Sequence, residues 1–245
     1  MSALRIENLS RAFGSLVVTN KVDLTIEPGE RHVVIGPNGA GKTSLINQIG
    51  GQLEPSSGCI LLGDVDITGW PPHRIAHAGV ARTFQKNNLF QNLSVTENLR
   101  LAVQARFGRP FDCITPIGRL DDQLARAAEL MARVHLERGE RQVRELSYGE
   151  QRQLEIAIAL AAEPRLILLD EPTSGMSPSE TSRMIGLIAS LPRTLSLLMI
   201  EHDMKVVFSL ADRITVLYYG EVLATGTPAE IQANARVREV YLGGH

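Results

Sequence analysis

The spacing of hydrophobic residues changes along the chain and predicts three kinds of segment. Near the N-terminus, as in residues 22–26, apolar and polar residues alternate, which is typical of strands with one buried face. Continuous apolar runs at residues 32–35, 166–169 and 196–200 predict strands covered on both faces, as in a parallel sheet. Residues 120–136 carry apolar positions at helical spacing, which predicts a helix.

This pattern predicts an α/β fold that begins with a small antiparallel β subdomain. Because the helical stretch 86–163 lies between two groups of predicted core strands, we expect it to be a helical subdomain inserted into the core. The core then comprises residues 1–85 and 164–245 of a single domain, 1–245. Capping boxes predict helix starts at residues 94–97, 147–150, 177–180 and 227–230.

A glycine-rich turn follows the strand predicted at residues 32–35. It fits the pattern G-x-x-x-x-G-K-[ST], and a helix is predicted to begin directly after it. In this arrangement backbone N–H groups bind phosphate oxygens, the lysine reaches the terminal phosphates and the threonine can ligate Mg²⁺. The turn therefore predicts a nucleotide site formed by Gly36, Pro37, Asn38, Gly39, Ala40, Gly41, Lys42, Thr43 and Ser44.

Polar residues follow three predicted strands at their carboxyl ends, the edge where α/β sheets bind ligands. Asp170 and Glu171 end the run 166–169, and two carboxylates there are costly unless a cation lies opposite them. We expect Asp170 to face Mg²⁺ and Glu171 to handle a water molecule. Gln85 and His202 end two further strands, and His202 is either structural or in contact with phosphate.

Two further motifs each allow two interpretations. Phe13, in a predicted loop, can stack on an adenine ring or fill the core of the sheet. Ser147 and Glu150 form a capping box around Tyr148 and Gly149. This helix start is either that of a well-capped buried helix or an anion site, since N–H groups at a helix N-terminus attract anions.

Charge and composition narrow the functional classes. The net charge of the 245 residues is −2, whereas proteins that grip nucleic acid usually show a basic excess. Two cysteines without a CxxC pair predict no disulfide or metal frame. Since no apolar stretch approaches 18 residues and no signal-peptide pattern opens the chain, we expect a cytoplasmic protein that meets a membrane only through a partner.

Together these motifs resemble the nucleotide-binding subunit of ATP-binding-cassette (ABC) transporters. Five elements stand in that family's order: the phosphate loop 36–43, Gln85, the signature 146–150, the Walker B strand ending in Asp170 and Glu171, and His202. At the level of individual segments, the sequence resembles importer ATPases of the branched-chain amino acid type. The segments that carry this resemblance are Tyr148 and residues 79–85, 89–90, 93–99, 174–178, 201–204 and 241–243. The resemblance extends from about Leu4 to the C-terminus.

Two features depart from the general family pattern. Tyr148 and Glu150 replace the glycine and glutamine of the general signature, as is usual in the branched-chain branch. Ser177 replaces an aspartate that crosses the dimer in many members, so the dimer contact at this position stays open.

The resemblance implies an ATPase that works as a pair of subunits. Each ATP would lie between the phosphate loop of one subunit and the signature of the other, formed by Ser147, Tyr148, Gly149 and Glu150. The implied roles are Mg²⁺ binding by Thr43, Gln85 and Asp170, polarisation of the attacking water by Glu171, contact with the γ-phosphate by His202 and adenine stacking by Phe13. The implied partners are a second ATP-binding subunit, identical or a sibling, and transmembrane permease subunits at the cytoplasmic face of the inner membrane.

Other functions stay open beside import of branched-chain amino acids. Importers of urea, short amides or aromatic acids are related, and this kind of subunit does not touch cargo. An exporter ATPase is a further alternative. A soluble cassette protein acting on nucleic acid or ribosomes is a different class, and it usually carries long coiled coils, zinc-binding cysteines or two cassettes in one chain, none of which this sequence shows.

Overall fold

A computed structural model describes residues 2–83, 89–107 and 121–242 of the chain. Four strands form an antiparallel sheet: β1 (Leu4–Phe13), β2 (Leu16–Ile26), β4 (Ser57–Leu62) and β5 (Val65–Asp66). Their spatial order is β2-β1-β4-β5, so that Leu4 pairs with Ile26 on one side and with Leu62 on the other. The alternating pattern of β2 buries Val22, Leu24 and Ile26, as predicted.

The second sheet contains six strands: β3 (Arg31–Ile35), β6 (Val80–Arg82), β7 (Leu166–Asp170), β8 (Ser196–Ile200), β9 (Arg213–Tyr218) and β10 (Glu221–Gly226). Their order is β10-β9-β3-β8-β7-β6, and all neighbours run parallel except β10 and β9. Every residue of β3, β7 and β8 is buried, as expected for central strands of a parallel sheet.

Helices connect these strands. The helices between and after the core strands are α1 (Lys42–Ile49), α2 (Pro72–Ala78), α6 (Pro178–Ser190), α7 (Met204–Leu210), α8 (Pro228–Ala233) and α9 (Ala235–Val237). A mutually contacting group is formed by α3 (Val95–Phe107), α4 (Asp121–Arg133) and α5 (Tyr148–Ala161). A 3₁₀ turn spans Val143–Glu145 and a π-helical turn spans Arg238–Leu242.

The predicted helix starts are all present. Complete capping boxes open α5, α6 and α8, and Ser94 and Glu97 exchange the same two hydrogen bonds before α3. The helix predicted over 120–136 is shorter: it ends at Arg133, because His135 takes a left-handed φ of 58°. Among the described helices, none is both long and apolar enough to cross a bilayer.

The parallel sheet separates two hydrophobic clusters. Successive side chains of β7 alternate between them, with Ile167 and Leu169 in one cluster and Leu166 and Leu168 in the other. The first cluster includes residues of α3, α4, α5, α6 and α7, and the second includes residues of α1 and of the antiparallel sheet. The carboxyl ends of β3, β7 and β8 therefore lie side by side between these layers.

Candidate nucleotide site

The phosphate loop joins β3 to α1 in a conformation that requires glycine. Gly36, Gly39 and Gly41 have φ values of 149°, 80° and 99°. A Cβ at Gly36 would collide with the carbonyl oxygen of Leu217, and one at Gly41 would collide with that of Val18. Gly41 caps α1 without any side-chain hydrogen bond. The first N–H groups of α1 are thus left without a side-chain cap, as an anion site needs.

Lys42 lies inside this loop. Its Nζ donates to the carbonyl oxygens of Gly36 at 2.7 Å and Pro37 at 3.0 Å. Burial lowers the pKa of Lys42, while the charges of Glu171 and Asp170 act to raise it. The ammonium therefore sits in the loop's concavity, with the carboxylates of β7 close enough to influence it. The neighbouring Thr43 is exposed, so its side chain is accessible to a ligand.

Asp170 ends β7 with its side chain only 1% exposed. Its Oδ2 accepts a hydrogen bond from Arg82 at 3.2 Å, whereas its buried Oδ1 has no hydrogen-bond partner. Burial raises the pKa of Asp170, and Arg82 acts in the opposite direction. A buried carboxylate oxygen without a partner is costly, and carboxylate and hydroxyl oxygens are ligands that Mg²⁺ prefers. The residues present therefore fit a metal ion between Asp170 and the phosphate loop.

Glu171 and His202 come together at the same edge of the sheet. Oε1 of Glu171 lies 3.8 Å from Nδ1 of His202, although the two residues follow different strands, β7 and β8. The N–H of Glu171 donates to the carbonyl oxygen of Ile200, and its φ is 49°, in the left-handed region. This unusual backbone conformation stands directly after Asp170, where β7 ends.

Two contributors to this edge were not singled out from the sequence. Glu201 is fully buried, and its Oε1 accepts from the Thr173 N–H at 3.1 Å and the Thr173 hydroxyl at 2.6 Å. Its Oε2 accepts from the N–H of His202, so Glu201 ties the loop after β7 to the end of β8. Arg82 is the second. For both Glu201 and Arg82, the only signal in the sequence was a charged residue at a strand end. That signal did not indicate that Glu201 bonds Thr173 or that Arg82 bonds Asp170.

Phe13 occupies a different place from the one predicted. It is the last residue of β1 rather than part of a loop, because it pairs with Leu16 across a two-residue turn. Its side chain is 50% exposed, so it does not fill the core of the sheet. The guanidinium carbon of Arg11 lies 4.7 Å from the ring centroid. Since the carbonyl of Val18 in the following strand adjoins Gly41, this hairpin lies beside the phosphate loop.

The signature residues form a well-capped helix start. Ser147 Oγ accepts from the N–H of Glu150 at 3.2 Å, and Glu150 Oε2 accepts from the N–H of Ser147 at 2.7 Å. The N–H of Gly149 donates to Oε1 of Glu180 at 3.3 Å, and a Cβ at Gly149 would lie 2.9 Å from that oxygen. A side chain at position 149 would therefore require the Glu180 side chain of α6 to shift.

Tyr148 anchors the same helix start to its surroundings. Its hydroxyl accepts from Nε and a terminal nitrogen of Arg152, at 3.1 and 2.9 Å, and Arg152 also pairs with Glu155 at 2.8 Å. The ring lies against Gly175. Among the described residues, no hydrogen bond or ion pair joins residues 147–150 to residues 36–44. Gln85 lies outside the described residues.

Comparison with known proteins identifies the family. The family profile of ABC transporters matches residues 19–174. The chain belongs to the ABC transporter family. A second profile, that of the branched-chain amino acid ATP-binding cassette transporter, matches residues 221–245. The predictions of the fold and of an ABC transporter ATP-binding subunit are thereby confirmed.

Individual ABC proteins are similar over nearly the whole chain. The high-affinity branched-chain amino acid transport ATP-binding protein LivG of Escherichia coli (strain K12) is 42% identical over 98% of this chain and 97% of its own length. The lipopolysaccharide export system ATP-binding protein LptB of the same strain is 36% identical over 99% of this chain and 98% of its own. The ADP conformation of MJ1267, an ATP-binding cassette of an ABC transporter, superposes with a TM-score of 0.86 at 29% identity, over 99% of both chains.

Proposed function

We propose that this chain is the ATP-hydrolysing subunit of an ABC importer for branched-chain amino acids. The observation that carries the ATPase role is the convergence of Lys42, Asp170, Glu171 and His202 at one edge of the parallel sheet. The match of residues 221–245 and the 42% identity to LivG support the cargo. As a subunit without a membrane-spanning helix in its described part, it would act through separate permease subunits.

The phosphate loop would hold the triphosphate of ATP. The uncapped N–H groups at the start of α1 and the ammonium of Lys42 would exchange loop and water contacts for phosphate oxygens. Phe13, which is half exposed, is the residue on which adenine would stack. The binding residues are those of the loop, Gly36 to Ser44, together with Phe13.

Thr43 and Asp170 are the described residues that would hold Mg²⁺, and Gln85 is proposed as a third. When bound, Mg²⁺ neutralises charge that develops on the phosphates. Within this chain, the unpartnered Oδ1 of Asp170 is the atom available to it or to one of its water ligands.

Glu171 would orient the attacking water and accept its proton. His202, 3.8 Å from Glu171, would donate a hydrogen bond to the γ-phosphate and keep the carboxylate in place. The side chain of Glu171 is 26% exposed, so a water molecule can reach it.

One helix N-terminus and one lysine leave much of the triphosphate charge uncompensated, so a second ATPase subunit would complete the site. The signature, Ser147, Tyr148, Gly149 and Glu150, would supply N–H donors to the ATP held by that partner. We propose the division into a core of residues 1–85 and 164–245 and a helical subdomain of residues 86–163, which would pass motion to a permease at the cytoplasmic face of the inner membrane.

Export is the second candidate, since LptB is 36% identical over nearly the full chain. Importers of urea, short amides or aromatic acids are the nearest alternatives within import. Purification of the tagged chain from membranes of its native host, with identification of the copurifying permease, separates these candidates. We expect an importer permease, and we expect the ATPase activity of the complex in proteoliposomes to rise with a leucine-loaded binding protein. Copurification with nucleic acid, or with an export complex, would contradict the proposal.

A further inference from the structure

Arg82 lies at the end of β6, next to Asp170 on the neighbouring strand, and its side chain is only 10% exposed. One terminal nitrogen donates to Asn47 Oδ1 at 2.7 Å and to Gln52 Oε1 at 2.9 Å. The other donates to Asp170 Oδ2 at 3.2 Å. A single guanidinium thus joins Asn47 in the second half of α1 and Gln52, three residues after the end of that helix, to the carboxylate at the end of β7.

This arrangement fixes the orientation of Asp170. Because Asn47 and Gln52 both hold the same guanidinium nitrogen, the planar group has little freedom to rotate, and its second nitrogen is directed at Oδ2. With Oδ2 engaged, Oδ1 is the oxygen that lacks a partner. Arg82 therefore selects which oxygen of the carboxylate is available to a ligand.

We infer that Arg82 is a positioning residue for the magnesium site, one that holds Asp170 so that its Oδ1 meets the metal or a metal-bound water. The inference rests on the proposed role of Asp170. Hydrogen-bond partners of metal-ligating carboxylates typically change metal affinity by about 10- to 100-fold when they are removed. A simple ion pair that only stabilised the fold would change stability, but it would not change metal affinity selectively.

The test measures metal binding separately from nucleotide binding and from turnover. The full-length chain is held in excess over the non-hydrolysable analogue AMP-PNP, so that nearly all of the nucleotide is protein-bound, and is titrated with Mn²⁺, with free Mn²⁺ read by electron paramagnetic resonance. A parallel titration measures the Kd of AMP-PNP in EDTA. The variants are Arg82→Gln and Gln52→Ala; Gln52 is exposed, so its truncation leaves the fold intact while removing one of the two side chains that hold the Arg82 guanidinium. The matched control is Arg165→Gln, an exposed arginine just before the opposite end of β7.

We expect Arg82→Gln to weaken Mn²⁺ binding about tenfold or more, with the EDTA Kd of AMP-PNP unchanged. Gln52→Ala should weaken Mn²⁺ binding less, in the same direction, and Arg165→Gln should match the wild type. Mn²⁺ affinity equal to the wild type in Arg82→Gln would overturn the inference, as would an equal loss of AMP-PNP binding in EDTA. If Arg82→Gln does not fold, unchanged Mn²⁺ affinity in Gln52→Ala would overturn it instead. Failure of the wild-type chain to bind Mn²⁺ with AMP-PNP would instead refute the proposed metal role of Asp170.

Discussion

At the start of α1 no side chain caps the helix, its cap residue Gly41 has a φ of 99°, and the ammonium of Lys42 donates to the loop's own carbonyls. At the start of α5 a complete capping box closes the first turn, and the N–H of Gly149 is met by Glu180. Both helix starts face phosphate in the proposed function. Under that proposal the first takes its ligand within one chain, whereas the capping box makes the second stable without any ligand.

This difference indicates a division of labour. A helix start without a side-chain cap gains from binding an anion, so the phosphate loop should bind nucleotide in the isolated subunit. A helix start that is already satisfied gains less, and its N–H groups become useful only when a second subunit brings a phosphate to them. The signature should therefore affect turnover by a pair of subunits more than nucleotide binding by one.

The largest effect on ATP turnover is expected from Glu171, at the edge of the parallel sheet where β7 and β8 end. Glu171→Gln should retain nucleotide binding but lower ATP turnover by about 10²- to 10⁴-fold, because the amide cannot accept a proton from water. Turnover by phosphate release and binding by nucleotide titration measure the two parts. Glu163→Gln, an exposed glutamate before β7, is the control and should behave as the wild type. Hydrolysis near the wild-type rate would remove Glu171 from this role.

The next effect concerns the phosphate loop. Lys42→Ala should weaken ATP binding by the isolated chain by about tenfold or more, since hydrogen bonds to charged groups contribute roughly 1.5–3 kcal/mol. A fluorescent-nucleotide titration measures this change. The control is Lys205→Ala, an exposed lysine in the first turn of α7. An unchanged affinity would mean that the loop does not hold the terminal phosphates.

The smallest effect separates capping from function at the signature. Ser147→Ala removes a cap and should lower the free energy of unfolding by about 1 kcal/mol, and Thr227→Ala at the matching box of α8 should cost a similar amount. Only Ser147→Ala should also lower turnover, with nucleotide binding by the single chain unchanged. Equal turnover in both variants would mean that the capping box at Ser147 only stabilises the start of α5 and has no role in ATP hydrolysis.

Local sequence patterns predicted much of this site, but they did not predict the contacts between residues that are distant in sequence. The phosphate loop and the capping boxes are formed by residues close in sequence, so their spacing alone indicated the geometry. The carboxyl ends of β7 and β8 followed from the apolar runs. The contact between Arg82 and Asp170 spans 88 residues, and that between Thr173 and Glu201 spans 28. Such pairs depend on strand order, which no local pattern encodes.

Phe13 shows the same limit at short range. Its aromatic character allowed both stacking and core packing, and the position of the turn excludes core packing. Because β1 extends to Phe13 and pairs with Leu16, the ring lies at an exposed hairpin end rather than under the sheet. The alternation of apolar residues fixed the buried face near Val22 but not the end of the strand.

The central claim is that the phosphate loop and the signature of one chain are each half of an ATP site, which a second subunit completes. The most direct test measures the mass of the assembly that the subunits form. The Glu171→Gln chain, alone and with the ATPase subunits that copurify with it, is examined by sedimentation with no nucleotide, with MgADP and with saturating MgATP. The account predicts paired ATPase subunits with MgATP and single subunits in the other two conditions. Single subunits in MgATP, with nucleotide shown to be bound, would contradict it.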